Sequence, residues 1–393
     1  MGLRKKLLAV FMAAAVFSLA AGKCAAADES DGCGTPRGEA LWAWGTNNYS
    51  QLGDGTRRTR LSPVRIGEES GWIAVEAGWE HTVALREDGS LWGWGRTVHG
   101  EAGVFSGRRY DQPAPSRIGD DDDWAAVSTG RTHSLAIKKD SSIWGWGNNY
   151  RGRLGSGTDR RYSHPHVSRY RRDEGWKDVS AGGAHTIALK KDNSLWGWGW
   201  NGRGQVSGAE SEYGSPLQIG EETGWMQVSA GGLHSMAIKD DGTLWGWGGN
   251  CSGQLGDPSD EDFLFPVRVG DDSDWRTVSA GYSHTLALKE DGSLWAWGNN
   301  KFGQLGDGTT KGRSVPERVG SGDDWVKISS GYYISFGIKK DGSLWGWGRN
   351  DSGRLGDGTL KDRHLPGRIG DEKNWLSVAS GFAHTVALKG DGE

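Results

Sequence analysis

Apolar and polar residues alternate in short runs along most of this chain. His81-Thr-Val-Ala-Leu and Leu91-Trp-Gly-Trp-Gly both follow a period of two. Each run stops at Gly, Asp or Asn, so each predicts a β-strand ending in a turn. Strings such as "EDGS", "DDGT" and "KDGS" join two of the runs, and their glycine supplies the positive φ of a tight hairpin. In a strand, Trp92 and Trp94 point to one side while Leu91, Gly93 and Gly95 point to the other. Large rings on one surface and gaps on the opposite one suit sheets stacked face to face.

The runs recur. The Leu/Ile-Trp-Gly/Ala-Trp-Gly string starts its first tryptophan at 42, 92, 144, 196, 245, 295 and 345, at intervals of 50, 52, 52, 49, 50 and 50 residues. Three further segments travel with it. A "WxxVSAG" type opens at Trp72, Trp124, Trp176, Trp225, Trp275, Trp325 and Trp375. An "HTxAL" type opens at His81, His133, His185, His234, His284 and His384, with Ile334 breaking the series. A "PxRIG" type is clear at Pro63, Pro266, Pro316 and Pro366. Four strands in about 50 residues make a propeller blade. The expected fold is all-β, a seven-bladed propeller of four-stranded antiparallel blades.

Closure of the ring also follows. The chain ends "HTVALKGDGE" where a Leu-Trp-x-Trp-Gly strand is due, and that strand stands instead at Gly38 to Gly45. One blade therefore takes two strands from each end of the chain, which leaves no open edge. Small residues place "VSAG" innermost, and proline places "PxRIG" outermost. A simple meander then sorts the loops. Face A carries the loop before "HT" and the long "NNxxGQLGDGT" loop. Face B carries the hairpins and the acidic links between blades, read as a solvated acidic face.

The stretch "GYSHTLALKEDGSLWAWGNNKFGQLGDGT", Gly281 to Thr309, resembles the repeat of the regulator of chromosome condensation family, and the likeness runs from about residue 38 to the end. The resemblance implies a seven-bladed propeller, here of the secreted bacterial kind. The eukaryotic namesake is a nuclear exchange factor for a small GTPase that docks on chromatin. A secreted bacterial member inhibits β-lactamases through loops on one face. Exchange activity transfers poorly, since no repeat exceeds 52 residues and none has room for an inserted wedge.

The first residues read differently. Arg4, Lys5 and Lys6 precede an uncharged apolar run from Leu7 to Gly22, followed by small residues. This is the pattern of a signal peptide, with cleavage expected after Ala27. Residues 1–27 are thus a signal, 28–37 a tail and 38–393 the propeller. The expected location is the periplasm, cell envelope or extracellular space. Lipidation at Cys24, or a retained anchor, is the alternative. No other run is long and apolar enough to span a bilayer. Cys33 and Cys251 are expected as unpaired thiols on opposite faces.

Net charge is −4, which points away from nucleic-acid binding. The six repeat histidines sit on different blades and cannot converge on one ion; each is expected to be buried and bonded to backbone. "LGDGT" lacks the carboxylate spacing of a calcium loop, and Gly-rich strings such as "WGWNGRGQ" precede no helix. His99, His164, His166 and His364 are expected in solvent. No metal, cofactor or catalytic constellation is expected.

In an array, the positions that break the pattern are the candidates for function. Twenty-one of 23 tryptophans fall three to a repeat, leaving Trp79 and Trp200, both in face A loops. With blade 1 opened by Trp72, the loop before "HT" carries Trp79 in blade 1, Tyr282 in blade 5, Tyr332 and Tyr333 in blade 6, and Phe382 in blade 7. Those blades are neighbours in a closed ring. The long outer loops of the same sector carry Arg57, Arg58, Arg108, Arg109, Lys311, Arg313, Lys361 and Arg363, with further arginines in blade 2. Aromatic anchors in a charged rim suit a macromolecular partner, foremost a protein bearing acidic groups. The main expectation is an exported, monomeric, non-catalytic propeller that binds through face A. A structural envelope module is one alternative, and a β-lactamase-inhibitor-like or glycan-active protein the other.

Overall fold

The computed structural model describes residues 39–104, 110–157, 163–169 and 175–390. The described strands form seven four-stranded sheets. Blade 1 runs from Trp72–Ala77 through His81–Arg86 and Leu91–Arg96 to Asp111–Arg117, innermost to outermost. Neighbouring strands within each sheet pair antiparallel, as in His81 opposite Gly95. In blade 7, Trp375–Ser380 and His384–Lys389 are completed by Ala40–Gly45 and Arg60–Arg65. Ala40 pairs with Lys389 and Gly45 with His384, so the ring closes by pairing strands from the two ends of the chain. The inner strand of blade 7 packs beside that of blade 1, as at the other junctions. Strand order and closure agree with the sequence.

The core lies between blades rather than within them. Seven apolar clusters each draw on two adjacent blades; one joins Val83, Leu85, Leu91 and Ile118 of blade 1 to Trp124, Val127, Ala136 and Trp146 of blade 2. The second tryptophan of each repeat string is buried there, with Trp94, Trp146 and Trp297 fully inaccessible. Trp94 Nε1 donates to the carbonyl of Gln51, in the long loop of the preceding blade, at 3.0 Å. Its ring lies against Gly53, where a Cβ would stand 2.7 Å from Nε1. The glycine of "QLG" is therefore the socket for the next blade's tryptophan. The same contact recurs at Gly306 under Trp347 and Gly356 under Trp44.

The first tryptophan of each string is only half buried and serves its own blade. Trp92 meets Trp72 edge to face at 5.9 Å. Its Nε1 donates to Ser90, whose hydroxyl donates to Asp88 in the "DGS" turn. A cation from the end of the second strand covers both rings, as Lys138 does over Trp124 and Trp144 at 4.8 Å. That lysine also pairs with Asp121 and Asp123 at 2.8 Å, so part of the face B acidity is matched rather than simply solvated.

The histidines are fully buried, as expected, and each also reaches a hydroxyl of the next blade, while backbone of the next blade engages His185, His284 and His384. His81 Nε2 lies 2.9 Å from Ser134 Oγ, and that hydroxyl donates to the Glu101 carbonyl at 2.8 Å. With its one proton committed, Ser134 can only accept, so Nε2 of a neutral His81 is the donor. His384 closes the series on Thr82 at 3.1 Å. In blade 6 Ile334 makes no such bond, and Thr385 still donates to the Arg354 carbonyl. A ring of serines nearer the axis repeats the device: Ser128, Ser180 and Ser229 accept from backbone N–H groups of Ala181, Ala230 and Ala280.

Burial pulls the titration of His81, His185, His234, His284 and His384 down to about 3, and that of His133 well below the usual value. An unfolded chain protonates its histidines near pH ~6.5. It therefore binds more protons than the native state as the pH falls below that value, and stability is lost. Four acids shifted upward by burial, Glu39, Glu76, Glu101 and Asp178, oppose the six histidines but are fewer. The melting temperature should fall steadily as the pH is lowered from about 6.5 to about 5. A flat calorimetric profile over that range would contradict the neutral-histidine ring.

Candidate functional site: the face A mouth

The loops before the second strands meet over the central channel on face A. They line a depression of about 150 Å³ whose floor is Gly78, Gly130, Gly182, Gly231, Gly281, Gly331 and Gly381. Glycine is needed there because the first side chain of the second strand, histidine in six blades and Ile334 in blade 6, lies directly beneath. A Cβ on Gly281 would stand 2.7 Å from His284 Nδ1. The scaffold histidine and the floor of the mouth are thus one packing unit.

Four aromatics of the rim form a continuous cluster. Trp79 and Phe382 lie 4.7 Å apart, Phe382 and Tyr332 4.4 Å, and Tyr332 and Tyr282 4.3 Å. Tyr333 extends it, 4.5 Å from Tyr332. All five are half buried, so each presents an edge or face to solvent. Tyr333 holds φ +64, an uncommon conformation for a bulky residue. Sequence reasoning missed three neighbours. Phe302, from the long loop of blade 5, touches Tyr333 at 5.2 Å and carries Arg349 at 4.9 Å. Arg131 lies 3.3 Å from the Trp79 ring centre. Its signal was present: Arg131 is the one cation in the column that holds Trp79, Tyr282, Tyr332 and Phe382.

Trp200 stands apart from this cluster and is not a loop residue as expected, since it ends the strand Leu195–Trp200 and pairs with Glu212. It packs on Gly202 and under Arg151, whose guanidinium is 4.9 Å from the ring.

The charged rim is divided. Arg57 pairs with Asp111 of blade 1 at 2.6 Å, Arg313 with Asp307 at 2.7 Å and Arg363 with Asp357 at 2.7 Å. These three arginines close loops or join blades. Arg58, Lys311 and Lys361 are exposed and make no ion pair among the described residues. Arg108 and Arg109 lie outside the described residues, as do Arg160, Arg161, Arg171 and Arg172. His164 and His166 side chains and Cys33 are likewise outside them. His99 is half buried rather than solvated, and His364 is exposed. Cys251 is exposed and free.

Beneath the mouth the channel continues as a space of about 170 Å³, lined by serines with Glu76 and Asp178. Burial pushes Glu76 up to about 8, with Asp178 adding to the shift, and raises Asp178 to about 7. Ligand pockets usually offer about 300–1,000 Å³, so the two acids sit in a space too small for a sugar chain. No group of three or more metal-ligating side chains occurs among the described residues.

This architecture has known counterparts. A family model for the RCC1-like domain matches residues 159–393, and models for the regulator of chromosome condensation (RCC1) repeat match 39–85, 72–101 and 124–153. The chain belongs to the RCC1-like family. The ultraviolet-B receptor UVR8 of Arabidopsis thaliana is 34% identical over 190 residues, 47% of this chain and 42% of the receptor. The human E3 ubiquitin-protein ligase HERC2 is 30% identical over 171 residues, 42% of this chain and 4% of the ligase. This RCC1-like chain thus spans less than half the length of these curated relatives. Among solved structures, human WBSCR16 superimposes with a TM-score of 0.81 at 23% identity, over 90% of this chain and 99% of that one. Prp20p from Saccharomyces cerevisiae gives 0.82 at 20%, over 91% and 92%. At such identities the likeness is one of fold.

The division of the rim is testable by stability. Asp111 is buried and accepts from Arg57 and from Ser50 at 2.6 Å. Asp111→Asn should lower the melting temperature by several degrees, whereas Lys311→Ala should leave it unchanged. Equal effects in a thermal melt would contradict this division of the arginines and lysines.

Proposed function

We propose that this chain is an exported, non-catalytic RCC1-like propeller that binds a protein partner through the face A mouth. The observation that carries the reading is the half-buried aromatic cluster of Trp79, Tyr282, Tyr332, Tyr333 and Phe382 over the channel. Scaffold packing does not account for it. The equivalent positions in blades 3 and 4 are Gly183 and Gly232, and those blades fold equally well. Clustered aromatics beside arginine are the composition of binding hot spots. Prp20p, of the same fold, binds Gsp1p and histones. Export rests on the apolar run Leu7 to Gly22 and the small residues before Ala27.

Two experiments test the reading. N-terminal sequencing of protein recovered from the periplasm or medium should begin at Asp28. A chain retained in the cytosol with Met1 intact contradicts export. The second is capture of a partner from that compartment with wild type and with the variant carrying alanine at all five aromatic positions. The variant should fold and lose the partner. Capture that survives all five changes contradicts the surface.

A further inference from the structure

One repeat position separates the blades in a way that the scaffold does not require. The residue before the buried Leu, Val or Ala of the long loop is glutamine in four blades, Gln51, Gln205, Gln254 and Gln304, and glutamate in blade 1, Glu101. In blades 6 and 2 it is arginine, Arg354 and Arg153, buried to 3% and 6% exposure. A buried guanidinium is costly unless paired. Arg354 is paired. Its Nη2 donates to Asp351 at 2.8 Å, its Nη1 to the Phe382 carbonyl at 2.7 Å and its Nε to Ser352 at 3.0 Å.

Arg153 has no such partner. Its Nε donates to the Tyr150 carbonyl at 2.9 Å and its Nη1 to the Thr132 hydroxyl at 3.1 Å, and Nη2 bonds to nothing among the described residues. The position of Asp351 is taken by Tyr150, and that of Ser352 by Arg151. Blade 2 has thus exchanged the counterion for a ring and added a second cation. Arg151 lies over Tyr150 and Trp200, at φ +65 where a non-glycine is strained. Arg131, next to Thr132, adds a third cation, and its charge and that of Arg151 both oppose that of Arg153. Glu80, the carboxylate that acts on Arg131, is engaged by Arg96.

We infer that Arg153, with Arg131 and Arg151, forms a carboxylate-binding site at the edge of the mouth, and that an aspartate or glutamate side chain of the bound protein fills it. The identity of the group follows from blade 6, where a carboxylate meets the same arginine. A peptide source rests on the binding surface proposed above, since Arg131 lies on Trp79 of the aromatic cluster. Arg153 plays the part for an external carboxylate that Arg354 plays for Asp351.

The test uses the full chain, with N-acetyl-aspartate amide as probe, its asparagine counterpart and inorganic phosphate as controls, and NMR of the arginine Nε–H groups as readout, Arg153 in the native chain and Arg131 and Arg151 in every variant. The aspartate probe should give a saturable shift and the asparagine one none. Arg153→Gln, the residue that four blades use here, should fold and weaken binding about tenfold or more. Tyr150→Asp, which rebuilds the blade 6 arrangement, should block the probe and raise the melting temperature of the free protein. Equal binding of the two amides overturns the inference, as does phosphate binding as tight and as sensitive to Arg153→Gln. Unchanged probe binding in Tyr150→Asp overturns it too. Loss of the probe site with partner capture still dependent on the aromatics sinks this inference alone. A probe site that persists while capture ignores the aromatics sinks the surface alone.

Discussion

The structure depends on the junction between one blade and the next. A four-stranded sheet of this composition cannot bury its own tryptophans. Trp94 reaches the loop of blade 7, where Gly53 makes room and the Gln51 carbonyl accepts its N–H. The same carbonyl accepts from Thr82, which in turn accepts from His384. One backbone oxygen therefore organises the ring, the hydroxyl and the histidine at that junction. Burying an indole contributes several kcal/mol at ~25 cal/mol per Å², and a glycine opposite makes the room for it. Repetition of glycine and tryptophan at a fixed spacing meets that need at six junctions; at the seventh Ser207 stands in the glycine's place and Trp247 donates to the Val206 carbonyl.

The proposed binding surface lies where the residues differ between blades. The floor of the mouth must be glycine because histidine, or Ile334 in blade 6, lies under it, yet the next residue outward differs between blades. Blades 3 and 4 leave it as glycine, while blades 5, 6, 7 and 1 fill it with rings that touch one another. The long loop behaves alike. Its glycine and leucine are held by the next blade, but the two residues before "GQLG" or "GRLG" tolerate Lys301-Phe302, Asp351-Ser352 or Tyr150-Arg151. The cluster on the mouth arises at the first of these positions, and Arg153 loses its counterion at the second, where Tyr150 stands in place of aspartate.

Much of this was legible from periodicity. Strand order, ring closure and the adjacency of the aromatic blades follow from spacing and residue size, which are properties of each repeat taken alone. The histidine partners were not, because Ser134 is 53 residues from His81 and the bond exists only once two blades meet. The basic rim was half legible: composition marks Arg57, Arg313 and Arg363 as cations but does not show that Asp111, Asp307 and Asp357 hold them. Arg131 and Arg153 are illegible in the sequence for a related reason. A single arginine carries no signal until its counterion in a sister repeat is seen and found missing.

The central claim is that partners dock on the face A mouth rather than on the channel's other end. Photo-crosslinking tests it most directly, with p-benzoylphenylalanine placed at Phe382 on face A or at the exposed Leu376, where the same inner strand begins on face B. The account predicts partner adducts from position 382 and none from 376. Adducts from 376 alone would contradict it.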